Sequence, residues 1–175
     1  MPDVDRERRD HLGKPYDANG AWGGGAKPIP ALVAKMLGEP YFRMPPPKSS
    51  GRELFNDAWL GSLLDGAEDT QSLQASLLEL TAESISRAIE SASTPVSRLI
   101  VCGGGAHNDA LMRRLKARLS PRIVESSAAH GLGVDQVEAA AFAWLAWRAI
   151  EGLPGNVPEV TGAKGPRILG AIYPA

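Results

Sequence analysis

The chain holds 175 residues, with 19 Lys+Arg against 20 Asp+Glu and a formal charge of -1. This length suits one domain with a real core, and the charge balance excludes the bulk basic field that would draw nucleic acid or an acidic membrane surface. The single cysteine, Cys102, excludes an internal disulfide and fits a reducing cytoplasm, and three scattered histidines beside it form no metal-ligand cluster.

The chain opens on MPDVDRERRDHLGK, a charged stretch where a secretory signal would carry an apolar core. A short helix is expected over Val4–His11. Residues 1–30 carry few large apolar side chains and end in Gly23-Gly24-Gly25 and Pro28-Ile29-Pro30, so they are expected to wrap the periphery. Residues 31–92 read as helical. Ala31–Leu37 shows a compact helical pattern that Gly38 and Pro40 should stop, and Pro45-Pro46-Pro47 then forces an extended path. Glu53–Leu64 sets Leu54, Phe55, Ala58, Trp59 and Leu63 at helical spacing. From Thr70 to Ala92, Leu73, Leu77, Leu80, Ile85, Ala88 and Ile89 draw one apolar stripe. Gln71, Gln74, Glu79, Glu83 and Arg87 stay largely off it, and Asp69 is the expected N-cap.

Residues 93–151 read as strand, helix, strand, helix. Pro95 breaks the chain before a strand at Arg98–Cys102 and a helix at Asn108–Arg118. Pro121–Ser127 is a second strand, placed parallel to the first by the right-handed crossover rule. Gly131 and Gly133 turn the chain into Gln136–Glu151. Its core, VEAAAFAWLAWRAI, is shorter than the roughly 20 residues that span a bilayer and contains Arg148, so no membrane span is expected. The segment reads as a buried helix with Trp144 in the core. Residues 152–175 form a Gly- and Pro-rich tail with one apolar run, Ile168–Tyr173, a candidate third strand. The expected fold class is therefore helix-rich α/β with two or three strands. Two parallel strands are too few for a stable sheet, so further strands are expected outside this sequence.

Three segments could carry chemistry. Gly103, Gly104 and Gly105 end the first strand, where bare backbone lets a flat ligand or a phosphate approach the chain at a helix start. They match neither the phosphate loop nor the spaced dinucleotide fingerprint, and an ordinary tight turn is the competing reading. Asn108 can cap the following helix or touch ligand. Asp135 and Glu138 have the spacing of a capping box; the alternative is a carboxylate presented to a sugar hydroxyl. In PPPKSSGRELFN at 45–56, Lys48 and Arg52 offer two positive charges to ligand, while Ser50 and Glu53 have capping spacing. His11, His107 and His130 flank loops without evident partners.

Four segments together resemble one family: PPPKSSGRELFN at 45–56, VCGGGAHNDALM at 101–112, GVDQVEAAAFAWLAWR at 133–148 and GLPGNVPEVTGAKGPRILGAIYP at 152–174. With GKPYDANGAW at 13–22, they are similar in order to the C-terminal half of the anhydro-N-acetylmuramic acid kinases. The resemblance implies a cytoplasmic, homodimeric enzyme of bacterial cell-wall recycling, in the sugar kinase, actin and heat-shock ATPase superfamily. Its substrates are Mg-ATP and anhydro-N-acetylmuramic acid. Water opens the anhydro bridge and the released primary oxygen is phosphorylated, giving N-acetylmuramic acid 6-phosphate.

In the family's terms the chain is an incomplete ribonuclease-H-like lobe. Gly103, Gly104 and Gly105 match the turn that receives the adenosine part of ATP, with Asn108 at the helix start, and Glu138 matches a glutamate at the anhydro-sugar. Nothing here matches the family's Gly-Thr-Ser phosphate loop, its water-activating aspartate or its Asp-Thr-Gly-Pro-Gly-Asn segment. Ser50 stands where the family usually has threonine. The chain is expected to be inactive alone; a non-catalytic nucleotide- or sugar-binding module is the alternative.

Overall fold

A computed structural model describes residues 16–51 and 53–173. The Val4–His11 helix expected from the sequence, together with His11, lies outside the described residues. Seven helices and two strands follow within them: α1 (Pro30–Leu37), α2 (Pro40–Arg43), α3 (Asp57–Gly61), α4 (Thr70–Glu90), β1 (Arg98–Val101), α5 (Asp109–Leu119), β2 (Ile123–Ser126), α6 (Val137–Ile150) and α7 (Pro158–Thr161).

The long helix α4 organises the molecule. Leu73, Leu77 and Leu80 pack against Leu32, Val33 and Met36 of α1 and Leu60 of α3. Leu78 and Ala82 pack instead against Ala110, Leu111, Leu115 and Leu119 of α5 and Val124 of β2. Burying each of these large side chains stabilises the fold by roughly 1.5–3 kcal/mol. The sequence suggests one stripe on α4, yet the helix runs between two cores and is buried on opposite sides. Gln74, expected on the polar side, is only 4% exposed. It lies against Gly23, where an added Cβ would come 2.8 Å from its Cγ. The small residues Ala75, Ser76 and Ala82 are fully buried there. Ser76 Oγ donates to Ser72 O at 2.7 Å and accepts from Ile29 N at 2.8 Å. Asp69 caps the helix as expected, its carboxylate accepting from Ser72 N at 2.9 Å. That bond holds the Asp69 carboxyl below the usual aspartate range.

Residues 17–29 run along α4 and α5, with Gly20 and Gly23 buried while Ala18, Asn19, Ala21, Gly24, Gly25 and Lys27 stay exposed. Asp17 accepts from Trp22 N and Gly23 N at 3.0 and 2.9 Å. Gln71 Nε2 donates to Trp22 O at 2.9 Å. Across the same α4–α5 interface, Glu79 pairs with Arg114 at 3.1 Å and with Arg118. Burial pulls the Arg114 guanidinium below its ordinary range, and the Glu79 charge opposes that shift.

The first helix ends at Leu37 as expected, and Pro40 opens α2 just beyond it, because proline at a first helical position gives up only an amide that would be unpaired anyway. The Glu53–Leu64 helix shrinks to α3. Its start is fixed by Asn56, whose side chain accepts from Trp59 N at 2.9 Å, so Ser50 and Glu53 do not cap it.

β1 and β2 pair in parallel, Arg98 opposite Ile123 through Val101 opposite Ser126. Leu99, Val101 and Val124 face α4 and α5. Arg98, Ile100, Ile123 and Glu125 share the other face, where Ile100 and Ile123 are half exposed. The described residues contain two strands in all, and Ile168–Tyr173, the candidate third, is irregular, with a bend at Gly170.

The largest departure from expectation is α6. It contains no buried residue: Phe142 is 64% exposed, Trp144 49%, Trp147 50% and Ile150 71%. Trp144 is therefore not core. Among the described residues neither core cluster includes a side chain of this helix, and its own tail folds onto it. Arg148 Nε donates to Pro154 O at 2.7 Å, and Gly155 N donates to Arg167 O at 2.9 Å. Apolar composition marks a surface that needs cover; the cover must come from packing partners. Among the described residues no helix is long and apolar enough to cross a membrane.

Candidate functional site at the carboxyl ends of the strands

Both strands end on the same side of the molecule, and the two loops that follow them meet. Loops beyond the carboxyl ends of parallel strands are where open α/β sheets place ligands. After β1 the chain turns at Gly103, with φ +69° and ψ -166°, a conformation that favours glycine. A 3-10 turn over Gly104–His107 leads to α5. A Cβ added at Gly103 or Gly104 would meet nothing within 4 Å, so this side of the turn faces open space; one at Gly105 would lie 3.6 Å from Leu111.

Asn108 closes the turn from behind. Its Oδ1 accepts from Leu111 N at 2.9 Å, capping α5. Gly20 presses against the same side chain: a Cβ there would collide with Asn108. The structure thus places Asn108 in its capping role, with Gly20 packed against its side chain.

After β2, a 3-10 turn over Ser127–His130 ends at Gly131, whose φ of +81° is again left-handed. Ser127 is buried and its Oγ has no partner within the described chain. Gly103 N donates to Val134 O at 2.8 Å, joining the two loops through their backbones. His107 adds a second tie, with Nε2 at 2.9 and 3.0 Å from the Asp135 carboxylate oxygens. His130 is paired too, at 2.8 Å from Glu125 Oε1, which also meets Arg98 Nε at 3.0 Å. Partners for both histidines come from 28 and 5 residues away, separations that no sequence motif encodes.

The Asp135–Glu138 capping box does not form. Gln136 precedes α6 without a side-chain cap, and Asp135 is turned to His107. Glu138 sits exposed in the first turn of α6 and makes no hydrogen bond or ion pair with the described residues. A carboxylate there is favoured by the helix dipole. The arrangement offers bare main chain on one loop and an unspent carboxylate on the next.

Lys48 lies elsewhere. Its Nζ donates to Tyr41 O at 3.0 Å and Phe42 O at 3.3 Å, near the end of α2, and sits 4.8 Å from the Tyr41 ring centre. Ser50 lines a shallow concavity with Tyr41, Phe55 and Thr81. Arg52 lies outside the described residues. Among those described, no group of three His, Cys, Asp or Glu side chains is placed to hold a metal ion.

The family model for anhydro-N-acetylmuramic acid kinase matches residues 4–175. A curated protein of that name from Nitrosomonas europaea is 49% identical over 165 residues, covering 94% of this chain and 46% of the relative. One from Cupriavidus pinatubonensis is 50% identical, covering 94% and 45%. One from Chromohalobacter salexigens is 47% identical, covering 97% and 47%. The chain thus spans about half the length of the curated relatives it matches. It belongs to the anhydro-N-acetylmuramic acid kinase family.

Proposed function

We propose that this chain supplies nucleotide- and sugar-facing surfaces of an ATP-dependent kinase acting on anhydro-N-acetylmuramic acid. The observation that carries the reading is the meeting of two loops at the carboxyl ends of β1 and β2. They are joined by Gly103 N to Val134 O at 2.8 Å, with open backbone on one side and exposed Glu138 on the other. In this proposal the Gly103–Gly105 backbone takes the base and ribose of ATP, and Asn108 holds that turn in shape by capping α5. The Glu138 carboxylate accepts a hydrogen bond from the sugar. Water adds across the anhydro bridge, and the γ-phosphoryl group passes to the released primary oxygen, giving N-acetylmuramic acid 6-phosphate and ADP.

Mg-ATP enters as substrate, and no step is routed through a metal held by these residues. Phosphoryl transfer depends on positioned charge around the phosphates. The sequence contains neither a Gly-Thr-Ser phosphate loop nor an Asp-Thr-Gly-Pro-Gly-Asn segment, so this chain alone is proposed to bind rather than to turn over. Lys48, spent on two carbonyls, is assigned to shaping the loop between α2 and α3. A ribonuclease-H-like lobe, a cytoplasmic setting and a homodimeric whole enzyme complete the proposal.

Calorimetry of the 175-residue chain with ATP and with anhydro-N-acetylmuramic acid tests it. Glu138→Ala is expected to lose sugar binding by at least about tenfold, on the order of the 1.5–3 kcal/mol of a hydrogen bond to a charged group, while ATP binding and folding persist. Equal sugar affinity in the variant, or sugar phosphate formed by the purified chain, would overturn it.

A further inference from the structure

Among the described residues Asn19 is the one non-glycine whose backbone is left-handed, with φ 57° and ψ 13°. A Cβ is crowded in that region; asparagine tolerates it better than most residues, and glycine better still. The turn requires the conformation. Gly20 N donates to Asp17 O at 2.9 Å and Ala21 N to Ala18 O at 3.1 Å, while the Asp17 carboxylate ties down Trp22 N and Gly23 N. None of these bonds uses the Asn19 side chain, which is exposed and makes no hydrogen bond with the described residues.

This turn is fixed beside the glycine loop. Residues 18–20 lie alongside Gly104–His107 and α5, and Gly20 fits so closely that no Cβ would pass between it and the Asn108 side chain. Asn19 is one peptide away from that contact. Gly103, Gly104 and Gly105 carry no side chain with which to read the edge of a base. An asparagine amide holds a donor and an acceptor on one flat group, matching the N6–H donor and N7 acceptor of adenine, whereas guanine presents two acceptors on the same edge.

We propose that Asn19 is a specificity-determining residue for the nucleotide: its amide accepts from N6–H and donates to N7 of an adenine lying on the Gly103–Gly105 turn. The inference rests on the reading of that turn as the adenosine surface. It gives the segment from Asp17 to Gly23 a task beyond packing, as a tied arm that carries one free amide to the nucleotide. The left-handed backbone is then kept with a side chain because the side chain is used. Turn geometry alone would be met by glycine at position 19, so the two accounts part on what glycine does there.

The test uses the full 175-residue chain, wild type and with Asn19→Gly or Asn19→Asp. ATP and GTP are titrated calorimetrically, amide shifts at Gly103–Gly105 are followed by NMR, and thermal unfolding is recorded. Glycine keeps the left-handed backbone and removes the amide, so the thermal midpoint should stay within about 2 °C of the wild type. The wild type is expected to bind ATP at least about tenfold more tightly than GTP, the discrimination of one bidentate base contact. In Asn19→Gly the ATP affinity should fall about tenfold while GTP affinity is unchanged, erasing the preference. Asn19→Asp, which keeps an acceptor but has no donor for N7, should lose the preference as well. A wild type without preference overturns the proposal. Equal weakening of ATP and GTP in Asn19→Gly marks a merely structural turn and also overturns it. Unchanged ATP affinity in that variant, with shifts still seen at Gly103–Gly105, overturns the role of Asn19 and leaves the reading of the glycine turn standing. If the wild type binds no ATP, or binds it without shifts at Gly103–Gly105, that reading fails and the proposal falls with it.

Discussion

Helices α5 and α6 invert the usual relation between composition and burial. The α5 sequence, DALMRRLKARL, is heavily charged, yet Leu115 and Leu119 are fully buried and Ala110 and Leu111 nearly so. The α6 sequence, VEAAAFAWLAWRAI, holds one acid and one base, yet buries nothing. The difference lies in what each helix meets. α5 has α4 on one side and β2 beside it, and its apolar residues fall at three- and four-residue spacing onto that surface. Among the described residues, α6 contributes to neither core cluster and carries its own tail. An apolar helix without an opposing layer keeps its hydrophobic surface in water, the condition that favours association.

Breaking this contrast should produce its largest effect in α5. Leu115→Ala removes a side chain with no exposure at the centre of the second core, and should cost about 2–5 kcal/mol in denaturant unfolding. A loss under about 1 kcal/mol would show that the α4–α5 interface is not the stabilising core.

A smaller effect separates the two helix starts. Asp69 caps α4, whereas Asp135 leaves α6 open. The folded-state pKa of Asp69 lies below its ordinary value, so its contribution is complete above the usual aspartate range and lost as pH falls through the lowered value. Wild-type chain should therefore lose stability on acidification more steeply than Asp69→Asn, which caps without titrating. Parallel acid profiles of the two would remove Asp69 from the account.

The smallest effect belongs to α6. Trp147→Ser should change the stability of the chain by no more than about 0.5 kcal/mol, despite removing a tryptophan, and should reduce self-association in sedimentation measurements. A cost like that of Leu115→Ala would mean that α6 is packed after all.

Much of the scaffold is legible from local chemistry. The Asp69 cap, the extent of α4, the parallel strands and the Asn108 cap all follow from spacings of three or four residues or from crossover handedness. The glycine turn is legible as a place of open backbone. Other features depend on distant residues. Gln74 is buried because Gly23 lies against it, and α4 carries two apolar faces because α1 and α5 flank it. Asp135 does not cap α6: the helix opens at Gln136, and the Asp135 carboxylate meets His107, 28 positions away. Trp144 is misread because an apolar pattern reports a tendency to be buried, while burial itself requires a neighbour.

In the proposed function the loops after β1 and β2 form one site with two ligand faces. Amide NMR of the 175-residue chain, titrated with ATP and then with anhydro-N-acetylmuramic acid, reads this residue by residue. ATP-dependent shifts are expected at Gly103–Gly105 and sugar-dependent shifts at 131–138, each ligand also perturbing the other loop through His107 and Asp135. Shifts confined to the concavity around Tyr41 and Phe55, or ligand responses in one loop that never reach the other, would contradict it.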